Sequence, residues 1–184
     1  MRWLPPDWQT VPMNGTGNRE IERKFLLASP AWRDEVTSSE PISQVYLAAT
    51  AVCQVRLRRY GSRAFITVKG KRSRLTRAEI ETQVPMEFFD AVLEEGLHAA
   101  PPLLKTRHLV PAGDFVFEID EYEGDNAGLV VAEIELPSAD AEFPRPVWLG
   151  AEVSGEVRYG NIYLTQHPYG TWSTGVAGID PTRQ

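Results

Sequence analysis

The chain has 184 residues, of which 42% are hydrophobic and 24% are charged, and its formal net charge is -6. This length and composition favour one globular domain, and no apolar run is long enough to span a membrane. An acidic surface would repel nucleic acid, so we expect a small anionic ligand at a locally positive site. The single Cys53 has no partner for a disulfide or a zinc site, which favours a cytoplasmic protein.

Residues 1–17 contain neither an apolar signal-peptide core nor a small-residue cleavage site. We therefore predict that they form a flexible leader. The folded domain is predicted to cover residues 18–166, and residues 167–184 are predicted to be an irregular tail because they show little periodicity.

Short alternating segments separated by turn residues follow the leader and predict about eight β-strands. Links such as Gly61-Ser62 and Gly124-Asp125-Asn126 suit antiparallel hairpins rather than parallel crossovers. The predicted strands are 19–27, 42–49, 54–60, 64–69, 77–84, 103–110, 115–122 and 129–136. Three helices are predicted to interrupt or follow this series, at residues 32–38, 86–95 and 155–165.

Charged residues recur at alternate positions in these strands. Because successive side chains of a strand point to opposite faces, Glu20, Glu22 and Lys24 share one face, and Ile21 and Phe25 share the other. The same arrangement recurs in Arg56 with Arg58, Arg77 with Glu79 and Glu81, Lys105 with Arg107, Glu118 with Asp120, and Glu133 with Glu135.

This pattern allows two interpretations. A half-exposed sheet can carry charged pairs on its solvated face. The succession of pairs instead favours a mainly β (α+β) fold, an eight-stranded antiparallel closed β-barrel with a charged interior and a few flanking helices. An outer-membrane barrel fits poorly, because the interposed helices have no place in it and aromatic girdles are not evident.

The ordered motifs of these strands resemble the CYTH superfamily, the triphosphate tunnel metalloenzymes. The segment E-I-E-R-K-F at residues 20–25 is similar to the family's ExExK signature, and the order and spacing of further motifs hold to about Leu164. Those motifs are Q-V-Y-L at 44–47, V-R-L-R at 55–58, F-I-T-V-K-G at 65–70, R-A-E-I-E at 77–81, K-T-R at 105–107, E-I-D at 118–120, A-E-I-E at 132–135 and R-Y-G-N at 158–161. The resemblance implies a tunnel that binds a triphosphate and uses Mg²⁺ or Mn²⁺.

Given this resemblance, we assign the charged residues by their chemistry. Hard cations prefer carboxylate oxygens, whereas Arg and Lys bind phosphate oxygens. The predicted metal ligands are Glu20, Glu22, Glu133, Glu135 and Asp120, with buried salt bridges as the alternative role for these acids. The predicted substrate-binding residues are Arg56, Arg58, Lys69, Arg77, Lys105 and Arg107.

Three residues are predicted to act in catalysis: Glu22, Lys24 and Tyr46. Other cations held near Lys24 would lower its pKa and let it orient or deprotonate a water molecule. Tyr46 is expected to approach Lys24, with packing as the alternative. No His has the spacing of a zinc ligand, so we expect none in the site.

The resemblance implies metal-dependent hydrolysis of a triphosphate. Because the inward side chains are almost all charged, with few amides or aromatics to bind a base, inorganic tripolyphosphate is the expected substrate. Class IV adenylyl cyclase, thiamine-triphosphatase and a non-catalytic polyphosphate-binding or nucleotide-binding module are the alternatives. We expect neither a nucleic acid nor a membrane partner, and both a monomer and a homodimer stay open.

Overall fold

The computed structural model describes residues 18–71 and 76–172, with side chains described for 21–71 and 77–172. The described chain consists mainly of antiparallel strands. They are β1 (Asn18–Leu27), β2 (Ser38–Ala49), β3 (Cys53–Tyr60), β4 (Arg63–Gly70), β5 (Thr76–Val84), β6 (Leu103–Ala112), β7 (Phe115–Tyr122), β8 (Val130–Glu135) and β9 (Leu149–Glu152). The helices are α1 (Met86–Glu94) and α2 (Asn161–Gln166), with 3₁₀ segments at Pro30–Glu35, Gly124–Asn126, Val157–Tyr159 and Tyr169–Thr171.

The strands form one sheet in the order β5-β4-β3-β2-β6-β7-β8-β1-β9. This confirms the mainly antiparallel β class, but the prediction of an eight-stranded closed barrel needs correction, because the sheet has nine strands and ends on β9. An additional antiparallel pairing joins β1 to β5, from Asn18 opposite Glu79 to Ile21 opposite Thr76. β1 also pairs antiparallel with β8, the strand that carries Glu133 and Glu135.

The predicted strands correspond to β1 through β8, with ends that differ by a few residues. The sequence-based prediction missed β9, because four residues are too few to show an alternating pattern. The helix predicted at residues 155–165 is in fact two elements, the 3₁₀ segment Val157–Tyr159 and α2, separated by Gly160. The first predicted helix is a 3₁₀ segment, Pro30–Glu35, in which the Ser29 side chain accepts a hydrogen bond from the Ala31 amide.

The hairpin between β3 and β4 depends on a glycine. Its connection is the pair Gly61-Ser62, and Gly61 has a φ of +56°. Side chains with a Cβ rarely adopt this backbone conformation, whereas Gly does so without steric cost. The tight turn places Arg58 opposite Phe65 and Arg56 opposite Thr67, which fixes the faces of both strands.

The main hydrophobic cores lie on the outer face of the sheet. One core contains Phe25, Phe117 and Ile134 with Trp32 and Trp148, which come from segments outside the strands. Another packs Val45, Leu57 and Ala64 against Phe89 and Val92 of α1. These apolar residues alternate with the charged positions, so burying them outside turns the charges toward the other face.

A further cluster closes part of the inner face. Leu103, Tyr122 and Val131 lie at one end of their strands and pack against Tyr159 and Leu164 from the C-terminal elements. The fold therefore leaves one large charged surface inside the sheet.

Among the described residues, no helix has the length and apolar character that a membrane crossing requires.

We predict that Trp148→Ala lowers the free energy of unfolding by about 3–5 kcal/mol. The Trp148 side chain is fully buried, packs edge-on against Phe117 with ring centroids 5.1 Å apart, and donates from Nε1 to Glu35 at 3.1 Å. Urea unfolding followed by circular dichroism would measure the change. Val147→Ala is a matched control, because Val147 is 91% exposed, and should change stability by no more than about 0.5 kcal/mol.

Candidate active site

A cavity of about 710 Å³ lies against the inner face of the sheet. Its lining is dominated by charged side chains of both signs in near balance. The basic ones are Lys24, Arg56, Arg58, Lys69, Arg77 and Arg107, and the acidic ones are Glu22, Glu79, Glu81, Glu118, Glu133, Glu135 and Glu156. The volume is typical of pockets that hold a small ligand.

Strand register brings the predicted substrate-binding residues of β3, β4 and β5 together. Arg58 donates to both oxygens of Glu81 at 3.1 Å, and Lys69 Nζ lies 2.7 Å from Glu79. Arg56 donates to the Thr67 hydroxyl at 3.2 Å. These acids neutralise the cations that the fold concentrates here.

The guanidinium groups of Arg56 and Arg58 retain unused donors. The Nε atoms of both residues are buried and, in the part of the chain that the structure describes, have no hydrogen-bond partner. Leaving a buried donor unsatisfied costs about 1–3 kcal/mol, and such groups are rare in folded proteins.

Acidic residues face each other in two cross-strand pairs on β1, β8 and β7. Glu118 lies opposite Glu133, and Arg107 is ion-paired with both, at 2.8 Å from Glu133. Glu22 lies opposite Glu135, and Lys24 Nζ is 3.8 Å from Glu22. Like charges directly opposite each other are destabilising, so each pair requires positive charge nearby.

The predicted metal ligands occupy different environments. Glu22 and Glu135 line the cavity as an opposed pair, whereas Glu133 also lines it but is ion-paired with Lys24 and Arg107. The Glu20 side chain lies outside the described residues, although its backbone pairs with Arg77. Among the described side chains, no group of three or more His, Cys, Asp or Glu residues is arranged to hold a metal ion. The ligand set stays a prediction.

The pKa of Lys24 differs from the sequence-based prediction. It is buried, and its ammonium is ion-paired with Glu133 and lies 3.8 Å from Glu22. Burial alone would lower its pKa, but the attraction of Glu133 and Glu22 outweighs burial and raises the pKa above its usual value. The predicted lowering was wrong, because carboxylates rather than cations surround this group.

Tyr46 and Arg77 line the same cavity as Lys24. Tyr46 is almost fully buried, lies opposite Arg56 on β3, and accepts a hydrogen bond from the Gln44 amide at 3.3 Å. Burial raises the pKa of Tyr46, although Arg56 and Arg77 oppose that rise. The hydroxyl therefore keeps its proton and can donate a hydrogen bond.

Lys105 and Asp120 lie behind the cavity wall and do not line it. Asp120 is completely buried and ion-paired with both Lys105 and Arg107, with Arg107 Nε at 2.7 Å. Burial lowers the pKa of Lys105 to about 8 despite the attraction of Asp120. The structure thus separates these two residues from the other predicted binding residues and places them as a support for Arg107.

Sequence reasoning missed one wall of the cavity and two aromatic neighbours of Arg58. Residues 153–162 form one wall of the cavity, and of the eight residues that they contribute only Glu156 is charged. Tyr60 and Phe65 share the face of Arg58, whose guanidinium carbon lies 5.7 and 5.8 Å from their ring centroids. The inner face therefore carries more aromatic surface than expected, and alternation continued past Arg58 could have revealed Tyr60.

Sheet and cavity together define a class of antiparallel β protein whose cavity is lined by basic and acidic side chains. Residues 18–168 match the CYTH domain, and the chain belongs to this family.

Sequence relatives agree with this assignment. An inorganic triphosphatase of Acetivibrio thermocellus is 36% identical over 151 residues, which cover 82% of this chain and 96% of the relative. An inorganic triphosphatase of Nitrosomonas europaea is 36% identical over 152 residues, covering 79% and 95%. The crystal structure of the inorganic triphosphatase NE1496 matches with 34% identity and a TM-score of 0.58, covering 79% of this chain and 97% of that chain.

We predict that Arg58→Ala weakens binding of inorganic tripolyphosphate by about tenfold to a hundredfold, the range expected for losing a hydrogen bond to a charged group. Arg59→Ala is the matched control, because Arg59 is exposed on the opposite face and donates to the Gly61 carbonyl at 3.2 Å. Its effect should stay within about twofold, as for other exposed charges. Isothermal titration would compare the two variants, and equal losses would contradict the assigned cavity.

Proposed function

We propose that this protein hydrolyses inorganic tripolyphosphate in the charged cavity with the help of Mg²⁺ or Mn²⁺. The observation that carries the proposal is a cavity lined by six basic and seven acidic side chains, which can hold phosphate oxygens and a metal ion together. The names of the two relatives that share 36% identity support the same activity.

Phosphate binding would exchange one set of ion pairs for another. Arg58 and Lys69 are held by Glu81 and Glu79, so an incoming phosphate chain competes for the same donors. Basic side chains already fixed in place lower the cost of ordering them around the substrate.

The residues present fit a divalent cation. Glu22 and Glu135 are opposed carboxylates at the cavity surface, and a cation between them would relieve their repulsion. Mg²⁺ and Mn²⁺ accept such oxygen ligands and complete their shell with water and substrate phosphates, so two or three acids suffice. Glu22 and Glu135 would hold the metal, with Glu20 two residues from Glu22 on the same strand face.

The described pairings support a tunnel. Leu136 donates its amide hydrogen to the Ile21 carbonyl, and Ile21 is also the register partner of Thr76. Strands β8 and β5 thus lie on opposite edges of β1, which would let the first eight strands surround the cavity. We assign this catalytic domain to residues 18–166, with the leader and tail outside it.

The chain's own residues would act on the terminal phosphoryl group. A divalent metal supplies charge neutralisation and an activated water. The basic residues of the cavity would hold the phosphate oxygens in line with the attacking water, and Lys24, which stays charged, would stabilise the charge that spreads during transfer. The water oxygen forms the new P–O bond, the terminal bridging P–O bond breaks, and pyrophosphate leaves.

We predict that Glu22→Gln and Glu135→Gln each lower turnover by at least about a hundredfold, because metal catalysis contributes several kcal/mol. Each change removes one carboxylate charge at nearly constant volume, so the fold should stay intact. Phosphate release and thermal unfolding would measure both effects, with the exposed Glu95→Gln as the control. Full turnover of the wild type in excess EDTA would contradict metal dependence.

We also predict that tripolyphosphate is a better substrate than ATP and that no cyclic nucleotide forms. A cyclase must position a ribose hydroxyl against the α-phosphate, and misplacement by about 1 Å can cost roughly a hundredfold. Side-by-side assays of phosphate release and cyclic AMP formation with Mg²⁺ and Mn²⁺ would test this. Cyclic AMP formed faster than phosphate is released from tripolyphosphate would overturn the proposed function.

A further inference from the structure

The cavity wall formed by residues 153–162 is fixed to the centre of the site. Val153 donates its amide hydrogen to the Lys24 carbonyl at 2.8 Å, and Lys24 donates its own amide hydrogen to the Ser154 hydroxyl at 3.0 Å. Lys24 Nζ also lies 3.5 Å from the Tyr159 carbonyl. The wall is therefore held on both the backbone and the side chain of Lys24, and it contributes no cation to the cavity.

Asn161 in this wall is oriented by a buried tyrosine. The Tyr122 hydroxyl donates to Asn161 Oδ1 at 2.6 Å, and Tyr122 is only 2% exposed. A carboxamide oxygen can only accept, so the Tyr122 hydroxyl is the donor in this contact and the oxygen of Asn161 is engaged as its acceptor.

This contact leaves the nitrogen of the Asn161 carboxamide for a ligand. Asn161 lines the cavity, and Nδ2 has no hydrogen-bond partner within the described chain. Asn126 is different, because its Nδ2 donates to the Leu164 carbonyl and its Oδ1 accepts from the Tyr169 amide. Both polar atoms of the Asn126 carboxamide are hydrogen-bonded within the fold, whereas in Asn161 only Oδ1 is.

We propose that Asn161 is a further substrate-binding residue, whose Nδ2 donates to an anionic oxygen of the bound triphosphate while Tyr122 positions the carboxamide. This inference rests on the proposed function. A neutral donor fits this wall, since it binds a phosphate oxygen without requiring another buried counter-charge. The apolar side chain of Ile162 lines the cavity in the same wall as Asn161.

The test compares three substitutions by their effect on tripolyphosphate. Asn161→Asp keeps the acceptor for Tyr122 and replaces the donor with a carboxylate oxygen, and Asn161→Ala removes the donor without adding charge. Both should raise the Kd by about tenfold to a hundredfold. Tyr122→Phe frees the carboxamide to rotate, and should raise the KM by less than either change at Asn161, with kcat lowered in parallel.

Calorimetric titration of sodium tripolyphosphate, steady-state kinetics in Mg²⁺ and thermal unfolding would be recorded on each variant. Asn126→Ala is the matched control, expected to lower the thermal midpoint and leave the Kd unchanged. Normal binding by Asn161→Ala with loss in Asn161→Asp would show a charge effect alone and would overturn the inference. Failure of the wild-type protein to bind or hydrolyse tripolyphosphate would instead overturn the proposed function.

Discussion

Neutralising charge inside the sheet is the constraint on which the rest of the structure depends. Strand alternation turns Lys24, Arg56 and Glu133 inward because Phe25, Leu57 and Ile134 are buried outside. Removing an ionised group from water is expensive unless a partner of opposite sign meets it. Register supplies those partners, and the inner face consequently carries acids and bases in near balance.

The same balance gives the cavity its chemistry. Bases that are already paired and held in position can take up phosphate oxygens, and acids that are thereby released can hold a metal ion. Unlike a purely basic cleft, such a cavity would suit the proposed metal ion and polyanion together, because each would neutralise what the other leaves exposed. Arg107 shows the connection most directly, since it contacts Glu118, Asp120 and Glu133 at once.

The C-terminal elements cover one end of the inner face and form one wall of the cavity. Tyr159 and Leu164 cover the apolar end of the inner face, and the same segment places Asn161 and Val157 at the cavity surface. The hydrogen bonds from this segment to Lys24 join the wall to a residue proposed to act on the substrate. Packing and the proposed ligand binding thus share one stretch of chain.

The sequence by itself determined the strand class, most strand positions and the inward face, because the side-chain period of two is a local property that Arg56, Arg58 and Arg59 already display. The family motifs likewise follow from residue order. Only the tertiary structure decided which charged residues form ion pairs. Glu133 and Glu22 raise the pKa of Lys24, and Asp120 is ion-paired with Lys105 behind the cavity wall. Pairing between distant strands sets these contacts, and a short strand such as β9 forms only because β1 offers it an edge.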